Sequence, residues 1–395
     1  MQNKKKYLSE MLSLLLAVSL AIPQTLPAAA AEKPETMEDV EWEQLTDNVL
    51  EYDELENRVA YFNPMICQIV DQINESYDTV KENILDFQQE ADNFIYLEEQ
   101  AKKDMDILSA RMYRANRQML RSMSSKSIKE EKKRGTKIDR QTRSTKKVLL
   151  SSCQQLMVAY NNMALKKETL EKQVELYGQM AAMYETQAQI GMATQTQVLS
   201  AQASRDSAKT SLSGLSDQME SIKSSLLQLT GWDFDSDVTI GTIPAADVSQ
   251  IAAIDFEADK AIAPKNNYTI INMQNSSPND ADNDGKYENK DYRAKEQGLE
   301  QAMQQLSITI DGLYQTLFEK QAALTAAQTA FDAAQIKWDG AVRKYQLGMM
   351  GQAEYLGEEL AYCAAEAAYK SADLDMTQAL LNYYWGVNGL GQLTE

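Results

Sequence analysis

Upstream of Gly191 the apolar residues step by four and three across a long stretch. The series runs Leu149, Cys153, Leu156, Tyr160, Met163 and, after Lys167, Leu170, Val174, Tyr177, Ala181, Tyr184 and Ala188. A sustained alternation of this kind is a 3.5-residue period, the seam of a long helix packed along another helix. The pattern recurs 157 positions later, where Leu306, Ile310, Leu313, Leu317, Leu324, Ala327, Phe331, Ala334, Trp338, Ala341 and Tyr345 lead to Gly348, broken once at Lys320. Beyond the glycines, Val198, Ala201, Ala208, Leu212, Leu215, Met219, Ile222 and Leu226 stand at the same shift from Tyr355, Glu358, Ala365, Tyr369, Ala372, Met376, Ala379 and Tyr383. The register holds without a gap, which reads as an internal repeat.

Each unit therefore reads as a long helix, a tight turn at Gly191 or Gly348, and a returning helix. Glycine suits the turn because the residue just past a helix end often takes a positive φ. The arms run about 40 residues, roughly 60 Å at 1.5 Å per residue. A hairpin of that length cannot bury its seam alone, so it should pack on its twin and invite further copies. On periodicity alone, a plain four-helix bundle closed within one chain fits equally well. The expected fold class is all-α: two tandem, coiled-coil-like helical hairpins without a transmembrane β-barrel.

Composition narrows the function. Glycine (16) and proline (7) are scarce among 395 residues, and the chain has no histidine, which excludes histidine-based triads and most zinc sites. A net charge of −19 argues against nucleic acid as a partner. Three cysteines, Cys67, Cys153 and Cys363, cannot all pair within one chain, and Cys153 on the seam reads as a small buried hydrophobe. No nucleophile elbow or C-x-x-C is present. The sequence reads as non-catalytic.

Residues 1–31 read as a secretory signal peptide: Lys4, Lys5 and Lys6, an apolar run from Met11 to Ile22, and Ala29-Ala30-Ala31 before Glu32. Residues 32–64 form an acidic helical approach segment. The first repeat unit spans 65–232, its opening helix starting at Asn63-Pro64 and continuing to about Leu120. Residues 121–147, strongly basic and without apolar period, read as a solvated loop or frayed helix, with contact to an anionic wall polymer or lipid headgroup as the sharper alternative. A connector covers 233–267, with one short strand from Val238 to Ile243, and the second unit covers 268–390.

Residues 280–291 read DADNDGKYENKD. Asp280, Asp282, Asp284, Glu288 and Asp291 fall at alternating positions of a calcium loop around Gly285, where carboxylates converge on a hard cation. The twelfth position is Asp, where the EF-hand pattern has the longer Glu, so a Ca²⁺ site competes with a plain acidic turn.

The tip sequences IGMATQTQVLSA (190–201) and LGMMGQAEYLGEEL (347–360), with the endings LLQLTGW (226–232) and LLNYYWGVNGL (380–390), resemble the tips and returning helices of TolC-type outer-membrane efflux proteins. The resemblance covers most of the chain after the leader and implies a trimer, each subunit a protomer of a hollow α-helical barrel. It implies that the tips meet an adaptor (membrane-fusion) protein linked to an inner-membrane pump. Carried over by position, Ile190, Gly191, Met192 and Thr196, with Leu347, Gly348 and Met349, are the adaptor-contacting residues. Glu354, six residues after its glycine, is the pore-lining candidate, and Gln197 replaces the acid in the first unit. Family members also insert a β-hairpin in each unit that closes an outer-membrane barrel. The corresponding places here, near 119–137 and 275–292, lack alternating apolar strands. The implied location is the cell envelope: the outer membrane by analogy, or the surface or wall in a single-membrane cell. A structural or adhesive wall-facing coiled coil without a transport role, or a calcium-dependent surface module, are the other readings.

Overall fold

The computed structural model describes residues 33, 37–233, 236–276 and 289–391. The leader expected at 1–31 and residues 280–288 of the expected calcium loop lie outside them. The elements, in order, are α1 (Asp39–Thr46), β1 (Val49–Leu50), α2 (Leu55–Phe62), α3 (Pro64–Lys103), α4 (Ile107–Gln189), α5 (Gln195–Leu229), β2 (Thr239–Ile240), α6 (Ser249–Ala253), α7 (Phe256–Asn266), α8 (Tyr268–Asn275), α9 (Asn289–Gln346) and α10 (Gln352–Trp385), with a final π-type turn at Gly386–Leu390. The described residues are thus all-α apart from two strands of two residues each. Among them no helix is long and apolar enough to cross a membrane.

Helix α4 organises the first unit. Its 83 residues extend about 125 Å at 1.5 Å per residue. Its N-terminal half runs antiparallel to α3, with Glu98 against Arg114 and Arg117 and Asp92 near Arg121. Its C-terminal half runs antiparallel to α5, with Gln202 bonding Glu185 at 2.6 Å. One rod therefore serves two hairpins that point in opposite directions.

The structure departs from the sequence expectations at four places. Helix α3 stops at Lys103 rather than near Leu120, because the chain reverses at Asp104–Asp106, where the Asp106 side chain accepts from Ser109 N and caps α4. Residues 121–147 are continuous helix rather than loop. Their charged residues are good helix formers, and i,i+4 pairs such as Lys126–Glu130 and Arg143–Asp139 add local support. Gly135 leaves room for the Tyr77 hydroxyl of α3, which would lie 2.5 Å from any Cβ placed there. The strand expected at 238–243 shrinks to Thr239–Ile240. It pairs in parallel with Val49–Leu50, which interrupts the approach segment expected to be helical.

Two apolar cores sit where the units close. The first gathers Leu50, Leu55, Val59, Ile66, Leu149, Cys153, Met157, Leu226 and Leu227. The second gathers Ile251, Ile270, Leu306, Ile310, Leu317, Met376, Ala379 and Tyr383. Positions 157 apart play matching parts: Leu149 with Leu306, Cys153 with Ile310, and Leu226 with Tyr383 are all buried. Burial drives the Cys153 thiol pKa up.

The closures also match. The Asn63 side chain caps α3 through Ile66 N (3.2 Å) and donates to Leu229 O (2.7 Å). The Asn267 side chain caps α8 through Ile270 N (3.1 Å) and donates to Gly391 O (3.2 Å). Beside each asparagine a glycine with positive φ lets two backbones touch. A Cβ on Gly231 would lie 2.1 Å from Phe62 O, and one on Gly389 would lie 2.3 Å from Asn266 O. Arg58 reinforces the first closure. Its guanidinium lies between the Phe62 and Trp232 rings (4.0 and 4.1 Å) and donates to Thr230 O and Leu45 O. Burial lowers its pKa to about 10.

The two units join through α4 and α10. Lys172 pairs with Glu359 (3.4 Å), Asn162 donates to Ser371 (3.4 Å), and the Trp385 indole donates to Gln154 (2.7 Å). The contacts among the long helices run in a row, α5–α4–α10–α9, and not in a closed square.

The two kinds of glycine separate in a denaturation test. Gly191 and Gly231 both have positive φ, but a Cβ at Gly191 meets nothing within 4 Å. Gly191→Ala should cost about 1–2 kcal/mol, the left-handed penalty alone. Gly231→Ala should cost more than about 3 kcal/mol, because the clash adds to that penalty. Urea unfolding followed by circular dichroism measures both, and equal losses would contradict the closure described here.

Candidate functional site

Both hairpin tips are built from the same hydrogen bonds. At the first, Met192 N bonds Gln187 O (2.8 Å) and Gly191 N bonds Ala188 O (3.1 Å). At the second, Met349 N bonds Lys344 O (2.8 Å) and Gly348 N bonds Tyr345 O (3.0 Å). These are the paired bonds of a Schellman helix end, and they need the left-handed φ of Gly191 (78°) and Gly348 (69°). The motif usually buries the apolar residue after the glycine. Here Met192 is 76% and Met349 74% exposed, with Ile190 and Leu347 exposed beside them.

The cross-contacts between α4 and α10 set where the tips lie. Moving along α4 from Gln154 through Asn162 to Lys172, the partner on α10 moves back from Trp385 through Ser371 to Glu359. That antiparallel register leaves 19 residues from Lys172 to Gly191 and 11 from Glu359 to Gly348, so both turns lie at the same end, roughly 12 Å from level at 1.5 Å per residue. The structure thus gathers Ile190, Gly191, Met192, Leu347, Gly348 and Met349 at one end of the molecule.

The tips differ in what stiffens them. In the first, Thr194 and Gln197 form a reciprocal capping box: Gln197 N donates to Thr194 Oγ1 (3.3 Å), and Gln197 Oε1 accepts from Thr194 N (2.8 Å). Gln197 thereby has a structural use that its place in the sequence, read against the tip pattern, did not reveal. Thr196 is exposed one residue before it. The second tip has Gly351 at the N-cap with no side-chain bond, and Glu354 exposed in the first turn of α10, where a carboxylate favours the helix dipole. Its stiffness comes from a ladder of rings, Tyr345–Tyr355 (4.3 Å), Trp338–Tyr355 (4.9 Å), Trp338–Tyr362 (6.1 Å), Phe331–Tyr362 (5.7 Å) and Phe331–Tyr369 (5.6 Å). Each such pair contributes about 0.5–1.5 kcal/mol beyond its burial. Alternating aromatic spacing was the sequence signal for this ladder.

The calcium residues Asp280, Asp282, Asp284 and Glu288 fall outside the described residues, and Asp291 stands in the first turn of α9. Among the described residues no group of three or more acids or cysteines could hold a metal ion.

No protein-family model matches the sequence, and no curated protein matches it. Solved structures do match. The CmeC outer membrane channel of Campylobacter jejuni is similar at 11% identity, with 93% of each chain covered and a TM-score of 0.49. The outer-membrane channel OprN is similar at 12% identity, with 93% of this chain and 97% of that one covered and a TM-score of 0.49. The outer membrane protein VceC of Vibrio cholerae is similar at 14% identity, with 68% and 76% covered and a TM-score of 0.46.

The capping box is open to a direct test. Thr194→Ala should speed amide hydrogen exchange at Gln197 and Val198 roughly fivefold, the effect of losing about 1 kcal/mol at an N-cap. Exchange at 352–356 should not change. Equal rates in the variant and the parent would show that the box does not hold the tip.

Proposed function

We propose that this chain is a non-catalytic component of an envelope export assembly. Its copies would associate side by side into a trimeric helical tube, and its hairpin tips would dock on an adaptor protein or a pump. One observation carries the reading: two turns of matching hydrogen bonding, each with bare apolar side chains, end helices whose antiparallel contacts bring them to the same end. A pair of such knobs is suited to the grooves of a helical partner. The TolC-type sequence resemblance at the same residues supports the choice of partner.

The row of four helices supports the oligomer. Its two outer members keep large apolar residues in solvent, Leu199 on α5 and Ile308, Phe318 and Ile336 on α9. An edge of that kind is covered by another edge. The outer membrane, or the wall of a cell with one membrane, is the proposed setting. Glu354 from each copy would form a ring near the tips, with Gln197 contributing none.

Photocrosslinkers at Met192 and Met349 test the docking in living cells. The expected result is a crosslink to an adaptor or pump subunit, lost together with export when Met192→Asp and Met349→Asp are combined, while the protein is still secreted. Export unchanged by the double substitution would refute the tip assignment. A wall-facing coiled coil without a transport role would give that result.

A further inference from the structure

We infer that the free end of the α3–α4 arm, at the opposite end of α4 from the tips, is a binding surface for an anionic lipid bilayer. Three observations converge on it.

The first is the turn. The bonds Asp106 N to Ala101 O (2.9 Å) and Met105 N to Lys102 O (3.3 Å) repeat the helix ending seen at Gly191, Gly231 and Gly348. In those three a glycine takes the left-handed position, whereas here Met105 takes it, with φ 58°. A non-glycine residue there is strained. The fold keeps the strain and leaves the side chain 87% exposed. Strain held at an exposed position points to use.

The second is a stripe. Leu108 is 80% exposed, and Met112, Met119 and Met123 follow it in the open. At 100° per residue they fall within an arc of about 60° on α4. Ala110 and Ser124, both buried against α3, lie on the other side of the helix. Leu108 and the three methionines therefore lie together on a face that the partner helix leaves bare.

The third is charge. Residues 102–147 hold sixteen Lys and Arg against five Asp and Glu, within a chain of net charge −19. Glu98 binds Lys102, Arg114 and Arg117, and Lys102 first among these holds its carboxyl below the usual range. The exposed Arg111 and Lys129 lie about 60° to one side of Leu108, and the exposed Lys126 continues the line of the stripe. Two such stripes from neighbouring copies would repel if laid together. An exposed apolar stripe edged with Lys and Arg is the pattern of a helix lying in the headgroup region of an anionic membrane.

This inference stands whether or not the opposite tips dock. The test is flotation of the mature full-length protein with vesicles of phosphatidylcholine containing phosphatidylglycerol, and with phosphatidylcholine alone. The protein should float with the anionic vesicles and at least about tenfold less with the neutral ones. Combining Leu108→Asp, Met112→Asp and Met119→Asp should lower anionic binding by at least about tenfold. Ile190→Asp with Leu347→Asp, at the far end, should leave it unchanged. Met105→Gly guards against misfolding: it should raise the thermal midpoint, since the strain is relieved, and still weaken binding severalfold. The proposal fails if nothing floats, if neutral and anionic vesicles bind equally, or if the stripe variants bind like the parent. It also fails if the triple variant dissolves an oligomer that forms without vesicles, because the stripe would then serve a second copy.

Discussion

The structure depends on how each unit is closed. One asparagine side chain caps the start of a helix with its oxygen and holds the end of another chain segment with its nitrogen. A neighbouring glycine allows the two backbones to touch. Neither part works alone: the amide reaches its carbonyl only because no Cβ separates the strands of chain, and the close approach leaves polar groups that the amide must satisfy. With the first and last turns of a unit pinned together, the long helices between them have one register. The 3.5-residue seams then fill two equivalent cores, at Cys153 and at Ile310.

That register has consequences far from the closures. It brings the two glycine tips to the same end, because α4 and α10 run past each other antiparallel. It also leaves α5 and α9 at the edges of an open row, with Leu199 exposed on α5 and Ile308, Phe318 and Ile336 on α9. The molecule thus presents apolar surface at its tips and along its two edges, with a basic and apolar arm at the far end. Each of these surfaces has different chemistry, so each suits a different kind of contact.

Much of this was legible in the sequence because burial writes a period. The 3–4 stepping through Leu149 to Ala188 and Leu306 to Tyr345 gave the helices, and Gly191 and Gly348 gave the turns. Asn63-Pro64 marked a helix start because both residues have a local mechanism there. The arm from Met105 to Lys147 is only partly legible, for the complementary reason. Its face toward α3 is made of Ala110, Arg117 and Ser124 and an ion cluster on Glu98, so no apolar period reports the packing. Its methionine stripe faces outward, where periodicity resembles a loop rich in charge. The reversal at Asp104–Asp106 carries no glycine signal, because Met105 occupies the left-handed position. At the tips, the capping role of Gln197 depends on its partner Thr194, and a comparison with the tip pattern sees only a missing acid.

Both tips lie at one end of the molecule, and a distance measures that most directly. Spin labels at Met192→Cys and Met349→Cys, with the three native cysteines replaced by alanine, can be followed by pulsed electron resonance. Helices packed about 8–10 Å apart should hold the two labels within roughly 30 Å of each other, in a narrow distribution. A separation beyond roughly 60 Å, or a broad distribution without a short component, would mean that the hairpins are not in the register described here.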